Sequence, residues 1–586
     1  MEDIQMEEGY NDATNHQATR NSSDITQSIY NKDYTQLMHI LHDEYQSPTE
    51  FNLTFLHSLA IEAIQSQDLE TLECLVMSQP SLVMRVRKED QEKRLIHYAA
   101  EMGNVELMKW VVNKGSPLSV TDKTGYSAMH YAIEGHFLEA VAFLLKEGIS
   151  VNRARSRDGY LAIHLAVMKG HLEMVKLLRN RGHADLNALT KPPSGISQDN
   201  TENRPIHIAA QLEDYLMLDY LCVAGADING QNSKGDTALN IVVRKDNEDL
   251  VNYLLNHGAS TEIFNNTGFT VLHDAALSNT PRVMQILLEH GCNVDTLSYK
   301  ESPQESDKAA LGCTALHYAA THGHTVIAKM LLDKGAKVDI RAVSTLRTPC
   351  IMATDGAHYD ILHALLQAGA NVNIPDVQNS TALHVVQNIS RNKQAPSAID
   401  ITQLLIEYGA DLNYPDSHGF TPLDKCVGQL MRQNYNKHLL SLLVTSGARL
   451  EQSSKRSTQH RSPNSSLCWL AWKKQLKSAQ FLIEAGWSLT TESWITFTAP
   501  NKQLTEFLDS VQRMLRHPPM LQHSCRMAIR KHLMAESDNR EILTKVSRLD
   551  LPNRLKSYIN LEVESEVMLS DSQWRNDEFI AIIGPV

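Results

Sequence analysis

The chain repeats itself at a step close to 33 residues, and that recurrence limits its possible folds more than any other property. Residues 312–340, GCTALHYAATHGHTVIAKMLLDKGAKVDI, show the frame. Thr314-Ala315-Leu316-His317 opens one short helical run, Gly323 ends it, a second apolar run extends from Val326 to Leu332, and Gly335 ends that. Helices this short are marginal alone in water, so each has to bury its apolar face on a neighbour. Ala319 and Ala320 keep the first helix thin on one side, where an adjacent pair can approach closely. The two glycines suit abrupt helix ends, because a left-handed residue without a Cβ meets no clash. Such a unit closes no core of its own and has to be stacked.

Aligned on His317, the equivalent positions are Ile61, His97, His130, His164, His207, Asn240, His273, Ile351, His384, Asp424 and Cys468. The steps along the chain are 36, 33, 34, 43, 33, 33, 44, 34, 33, 40 and 44 residues. The glycine matching Gly335 falls 18 residues after the anchor at Gly115, Gly148, Gly182, Gly225, Gly258, Gly291, Gly369 and Gly486, and later at Gly409 and Gly447. With its T-P-L-H-x-A-like opening, this pattern resembles the ankyrin-repeat family over roughly residues 51–490. The resemblance implies an all-α solenoid of about 12 helix-pair units, joined by short β-hairpin loops.

The ends depart from the frame. Residues 1–28, rich in Glu, Asp, Asn, Ser and Thr, lack an apolar period and are expected to be disordered. Residues 29–50 carry Tyr30, Leu37, Met38, Ile40 and Leu41, enough for a capping helix. Terminal units meet water on their outer face, which accounts for the lost TPLH step around Ile61. Polar or proline-containing insertions at 186–203, 297–311, 386–399, 428–437 and 452–465 are expected to gather on one face, as inserted solenoid loops often do. Residues 491–517 read as a linker helix, 518–562 as a small helical domain, and 563–586 as an acidic tail.

Charge and composition exclude several functions. The net charge of -13 lies at the two ends: residues 1–50 hold ten acids and two bases, and residues 562–586 six acids and one base. The neutral middle offers no basic surface for nucleic acid. Eight scattered cysteines without a CxxC pair read as free thiols, no apolar run is long enough for a membrane span, and the polar amino terminus is unlike a secretory signal. These features point to the cytoplasm or nucleus. Of the 26 histidines, His97, His130, His164, His207, His273, His317 and His384 share one repeat position. A residue recurring once per unit has a once-per-unit role, here a hydrogen bond that stiffens the loop start rather than metal binding or catalysis. HExxH, GxxxxGK[ST], a strand-linked GxGxxG and the kinase signatures are missing, so no enzyme and no cofactor are expected.

Two surfaces remain as binding candidates. In the hairpins, Arg153, Arg155 and Arg157 precede Gly159-Tyr160, and Tyr126, Tyr160, Phe269 and Phe420 each follow a loop glycine. Aromatics and arginines on a rigid ridge are common anchors of a protein target. At the carboxyl end Pro518-Pro519 stop a helix and MLQHSCRMAIRKHL follows, with Leu521, Cys525 and Ile529 four residues apart on one helical stripe. LDLPNRLKSYI follows at 549–559.

This pairing resembles a SOCS box, and the whole chain looks like a member of the ankyrin-repeat and SOCS-box family. The resemblance implies that Leu521 and Cys525, with Ile529 one turn on, insert into Elongin C of the Elongin B/C pair. It also implies that Leu549, Leu551, Pro552, Leu555, Tyr558 and Ile559 approach cullin 5, with its RING protein. Asp550 stands where the family's first proline would be, which leaves cullin 2 open as an alternative. The function implied is substrate recognition in a ubiquitin ligase. The competing reading is a repeat scaffold whose last segment merely caps the stack.

Overall fold

The computed structural model describes residues 23–44, 50–153, 156, 159–191, 201–299, 312–391, 398–428, 437–450, 465–472, 475–487, 505–509, 511–512 and 530. The chain divides into two compact bodies, Met1–Thr267 and Gly268–Val586, and among the described residues each holds six helix pairs. In the first body the first helices of the pairs are Glu50–Gln65, Leu95–Glu101, Ala128–Glu134, Ala162–Met168, Pro205–Leu212 and Ala238–Arg244. In the second they are Val271–Ser278, Ala315–His322, Pro349–Asp355, Ala382–Val385, Pro422–Gly428 and Ser466–Trp472. Each of the twelve anchor positions lies in one of these helices. The fold is therefore all-α and built of ankyrin-type pairs, as the period predicts.

Within each body first helices pack on first helices of the next pair, and in the second body most second helices do the same. The alanines permit it. Ala99, Ala100, Ala132, Ala166, Ala209 and Ala210 in one body, and Ala275, Ala276, Ala319 and Ala320 in the other, have no exposed surface. The second helices supply the larger apolar groups: in Thr325–Asp333, Ile327, Ala328 and Leu331 are buried while Val326 and Lys329 face water. Stacking thus replaces the single globular core that a chain of this length could not otherwise extend.

Gly335 has φ 84°, and a Cβ there would meet open space. The penalty for a side chain is then conformational alone. Gly335→Ala is expected to destabilise the second body by about 1–2 kcal/mol, read as a lower urea midpoint at unchanged m-value. The glycine rule fails once: at Gly182 the left-handed residue is the next one, His183, with φ 51°.

The loops between pairs are tighter than β-ribbons. Among the described residues only isolated bridges occur, Arg87 with Lys93 and Thr121 with Ser127. A side chain does the work a ladder would do. Asp122 Oδ1 accepts from the backbone N–H groups of Thr124 and Tyr126 at 2.8 and 2.9 Å, while Asp122 N–H donates to Tyr126 O. Asp376 and Asp416 repeat the arrangement towards Gln378 and Ser380, and towards His418 and Phe420. Short polar side chains that mimic a backbone turn are favoured for this reason.

Within the second body the insertions do not share one end of the repeats, which corrects the expectation that they gather on one face. Those at 186–203, 297–311 and 452–465 fall between pairs, whereas 386–399 and 428–437 fall between the two helices of a pair. Antiparallel helices put these two junctions at opposite ends. The first two insertions leave the loop frame intact, because Thr190 N–H still donates to Asn203 O and Ser298 N–H to Cys313 O.

Order also begins earlier than composition suggests. Residues 23–30 are helical, inside the stretch expected to be disordered as far as residue 28. Ile25 is fully buried, and Ser28 Oγ donates to Asp24 O at 2.9 Å. One isoleucine and a helical hydroxyl bond were too sparse to register as a period. The following helix, Tyr34–Glu44, buries Leu37 and Leu41 and packs on Leu69–Ser78. No described helix is long and apolar enough to cross a membrane.

Candidate functional site

The recurrent histidine is a clip between neighbouring repeats. Its Nδ1 accepts from the backbone N–H of the residue that caps its own helix: Arg94 to His97, Ser127 to His130, Leu161 to His164, Arg204 to His207, Thr270 to His273, Thr314 to His317 and Thr381 to His384. A backbone N–H can only donate, so the ring proton has to reside on Nε2. That N–H then donates to a carbonyl of the following loop, at Val120, Tyr160, Ala188, Asp236, Arg347 and Phe420 for His97, His130, His164, His207, His317 and His384. His273 serves both Thr296 and Cys313, each at 3.1 Å.

Burial pushes His130, His207, His273 and His317 down to about 4, and also lowers His97 and His384. A neutral ring with both nitrogens engaged has no lone pair left for a metal or for general-base work. The role expected from the periodicity is therefore the observed one, extended across the repeat boundary. Asn240 fills the same place, its Oδ1 accepting from Thr237 N–H at 3.0 Å. Asp424 keeps both halves by other means: Oδ2 accepts from Thr421 N–H, and Oδ1 receives the hydroxyl of Ser466 from the next repeat at 2.6 Å. Ile61 and Ile351 are apolar at this position and form no clip.

The hairpin aromatics are less exposed than a ridge of free anchors would be. Tyr126, Tyr160 and Phe269 are all half-buried. Tyr126 lies 5.2 Å from the ring of His130 and 5.5 Å from that of Tyr131; Tyr160 lies 6.4 Å from His164. Phe269, in the second body, lies 5.9 Å from His273 and 5.1 Å edge-on from Tyr318. Each therefore packs on the repeat histidine of its own helix and keeps part of its ring in water. Arg153 is exposed, and Arg155 and Arg157 lie outside the described residues.

A cleft of about 320 Å³ in the second body was not legible in the sequence. Arg347, Asp376, Gln387, Asn388, Asp424 and Lys425 line it among others. Arg347 pairs with Asp355 at 2.9 Å and with Asp376 at 3.6 Å, and Lys425 pairs with Asp416 at 2.7 Å. These residues come from successive repeats, and although several share a register, as Arg347, Ser380 and Phe420 do, their residue types differ, so a periodic reading passes over them. Their ion pairs are intact within the cleft, which gives it a balanced, hydrogen-bonding lining.

Among the described residues no group of three or more His, Cys, Asp or Glu could hold a metal ion. Cys74, Cys222, Cys292, Cys313, Cys350 and Cys426 are in no disulfide, and burial pushes Cys350 and Cys426 up to about 12, which keeps those thiols protonated and inert. Leu521, Cys525, Ile529, Leu549, Leu551, Pro552, Leu555, Tyr558 and Ile559 lie outside the described residues. Arg530, beside them in sequence, is described and is 3 % exposed.

Comparison with known proteins matches this architecture. The family described as "Ankyrin repeats (3 copies)" matches residues 57–155, 96–190, 153–232, 206–298 and 294–376, together more than half of the chain. The family described as "SOCS box" matches residues 517–560. Ankyrin repeat and SOCS box protein 3 of Bos taurus is 32% identical over 94 residues, 16% of this chain and 18% of the relative. Transient receptor potential cation channel subfamily A member 1 of Homo sapiens is 30% identical over 334 residues, 51% of this chain and 29% of the relative. L-asparaginase of Dirofilaria immitis is 29% identical over 192 residues, 31% of this chain and 30% of the relative. The chain thus spans less than a third of the length of each. Relatives so different in kind share a fold rather than an activity. Ankyrin repeats and SOCS boxes are typically non-catalytic adaptor modules, and a SOCS box in general binds Elongin B/C and a cullin. With six ankyrin-type helix pairs in each body and a SOCS-box match after them, the chain belongs to the ankyrin-repeat and SOCS-box family.

Proposed function

We propose that the chain is the substrate-recognition subunit of an Elongin B/C–cullin–RING ubiquitin ligase, with no chemistry of its own. The observation that carries this reading is the SOCS-box match at 517–560 after twelve ankyrin-type pairs. In this reading Leu521, Cys525 and Ile529 enter Elongin C, and Leu549, Leu551, Pro552, Leu555, Tyr558 and Ile559 face cullin 5, or cullin 2 given Asp550. The repeats hold an unidentified protein target, with Tyr126, Arg153, Arg155, Arg157, Tyr160 and Phe269 as contact candidates and the cleft at Arg347 and Lys425 as a further one. Catalysis is by proximity: holding target lysines near the charged conjugating enzyme raises their effective concentration. The neutral repeat stretch and free thiols fit work in the cytoplasm or nucleus.

The test is affinity purification of the intact chain and of a Leu521→Ala, Cys525→Ala double variant, each with and without a proteasome inhibitor. The intact chain is expected to bring down Elongin B/C, a cullin and, under inhibition, the target. The double variant is expected to lose Elongin and cullin and keep the target. Elongin capture that survives both substitutions would falsify the docking assignment.

A second reading, a scaffold whose last segment caps the stack, draws on the burial of Phe507, Leu508, Val511 and Arg530. Deleting residues 517–586 separates the two. A cap would leave apolar surface and an insoluble chain, whereas a docking box would leave a soluble one that no longer captures Elongin.

A further inference from the structure

A guanidinium from the SOCS-box stretch is buried against the end of a repeat helix. Arg530 is 3 % exposed, and its Nη2 donates to Val444 O at 2.9 Å across 86 positions of chain. Val444 lies in the last turn of helix Lys437–Ser446, where carbonyls lack partners within the helix and the helix dipole is negative. Val444 O already accepts from Gly447 N–H at 3.2 Å, so the guanidinium takes its second lone pair and meets a favourable field. The charge-assisted bond also offsets the desolvation of the buried guanidinium, which an isolated charge would not survive.

The end of that helix is covered in a way the preceding four repeats of the same body are not. Thr445 and Ser446 are buried, at 9 % and 2 % exposure. Their equivalents are exposed in the preceding four repeats: Glu289 and His290, Asp333 and Lys334, Gln367 and Ala368, Glu407 and Tyr408. Ala485, equivalent to Ser446 in the last repeat, is also buried. The sequence changes to match, from long polar groups to Thr, Ser and Ala, which let another segment approach the backbone. The covered residues and the buried cation lie at the same helix end.

We propose that Arg530 is a positioning residue that fastens the SOCS-box stretch to the repeat formed by Pro422–Gly428 and Lys437–Ser446. The box then leaves the repeats in one fixed direction rather than on a loose tether. This rests on the ligase reading for its use: a bound target is presented to the ubiquitin-charged enzyme at a set distance and angle. A lysine cannot replace the anchor fully, because one ammonium lacks the planar fork of donors.

The experiment is hydrogen exchange on the full chain and on Arg530→Ala and Arg530→Lys, with capture of purified Elongin B/C scored in parallel. Arg530→Ala is expected to speed exchange of the amides at 445–448 by about tenfold or more, the size set by loss of a hydrogen bond to a charged group. Exchange in helix Thr325–Asp333 is expected to stay unchanged, as is Elongin capture. Arg530→Lys, which keeps the charge, is expected to fall between and serves if the alanine variant fails to fold. Unchanged exchange at 445–448 in both variants overturns the anchor, as does loss of Elongin capture without a change in exchange. Faster exchange in Arg530→Ala, with an intact chain that captures no Elongin, supports the anchor and removes the ligase reading instead.

Discussion

Replacing His317 by alanine is expected to destabilise the second body by about 2–3 kcal/mol, although the side chain touches neither the amino nor the carboxyl end of the stack. The ring is fully buried and answers two backbone groups in different repeats, Thr314 N–H and Arg347 C=O. Alanine leaves the amide without its acceptor, while the carbonyl keeps its bond from Ala342 N–H at 2.9 Å. The loss is thus nearer one orphaned group plus a cavity than two orphaned groups. His317→Asn should recover part of it, because Asn240 already accepts the capping amide in the same position. Urea denaturation of the three proteins gives the ranking, and hydrogen exchange at Arg347 and Thr348 localises it. Equal midpoints for the alanine and asparagine variants would show that the amide contributes nothing.

Acidification from pH 7 to pH 5 is expected to destabilise both bodies steeply, well before the carboxylates titrate. His130 and His207 in one body, and His273 and His317 in the other, are held near 4 by burial against an ordinary value of 6.5. Between those limits the unfolded chain binds protons that the folded chain refuses, so stability rises with pH. The contribution is fully present above pH 6.5 and is lost as pH falls towards 4. Each histidine supplies about 1.4 kcal/mol per pH unit within that window. Thermal melts at pH 7, 6 and 5 check the slope, and His317→Asn should flatten it for the second body alone. A melting temperature constant over that range would refute the neutral-ring assignment.

The repeat frame was fully legible because it is periodic: twelve anchors counted on sequence fall in twelve first helices. Even the lost histidines were found in register, at Asn240 and Asp424, and the structure shows why those residues are tolerated there. The acceptor of each Nε2 proton was not legible. It lies 23 to 40 positions away, at a distance set by the loop that follows and not by any motif. The aromatics after the loop glycines look alike in sequence whatever they face, and only the geometry shows that Tyr126 and Phe269 pack on a histidine and stay half-buried. The cleft at Arg347 and Lys425 escaped for the opposite reason, since it is built where the repeats differ.

One consequence follows from the loops that keep their frame around an insertion. Thr190 and Asn203 close one, Ser298 and Cys313 another, with the same backbone bond that Asp122 and Tyr126 make over four positions. The gate is set by its two posts, so the length of peptide passing between them is a free variable as far as the neighbouring helices are concerned. Entropy charges little for extra length once a loop is closed. These two sites are therefore natural splice points: an epitope, a protease site or a fluorescent module could be written into either, and the helix pairs on both sides would have no means of registering the change.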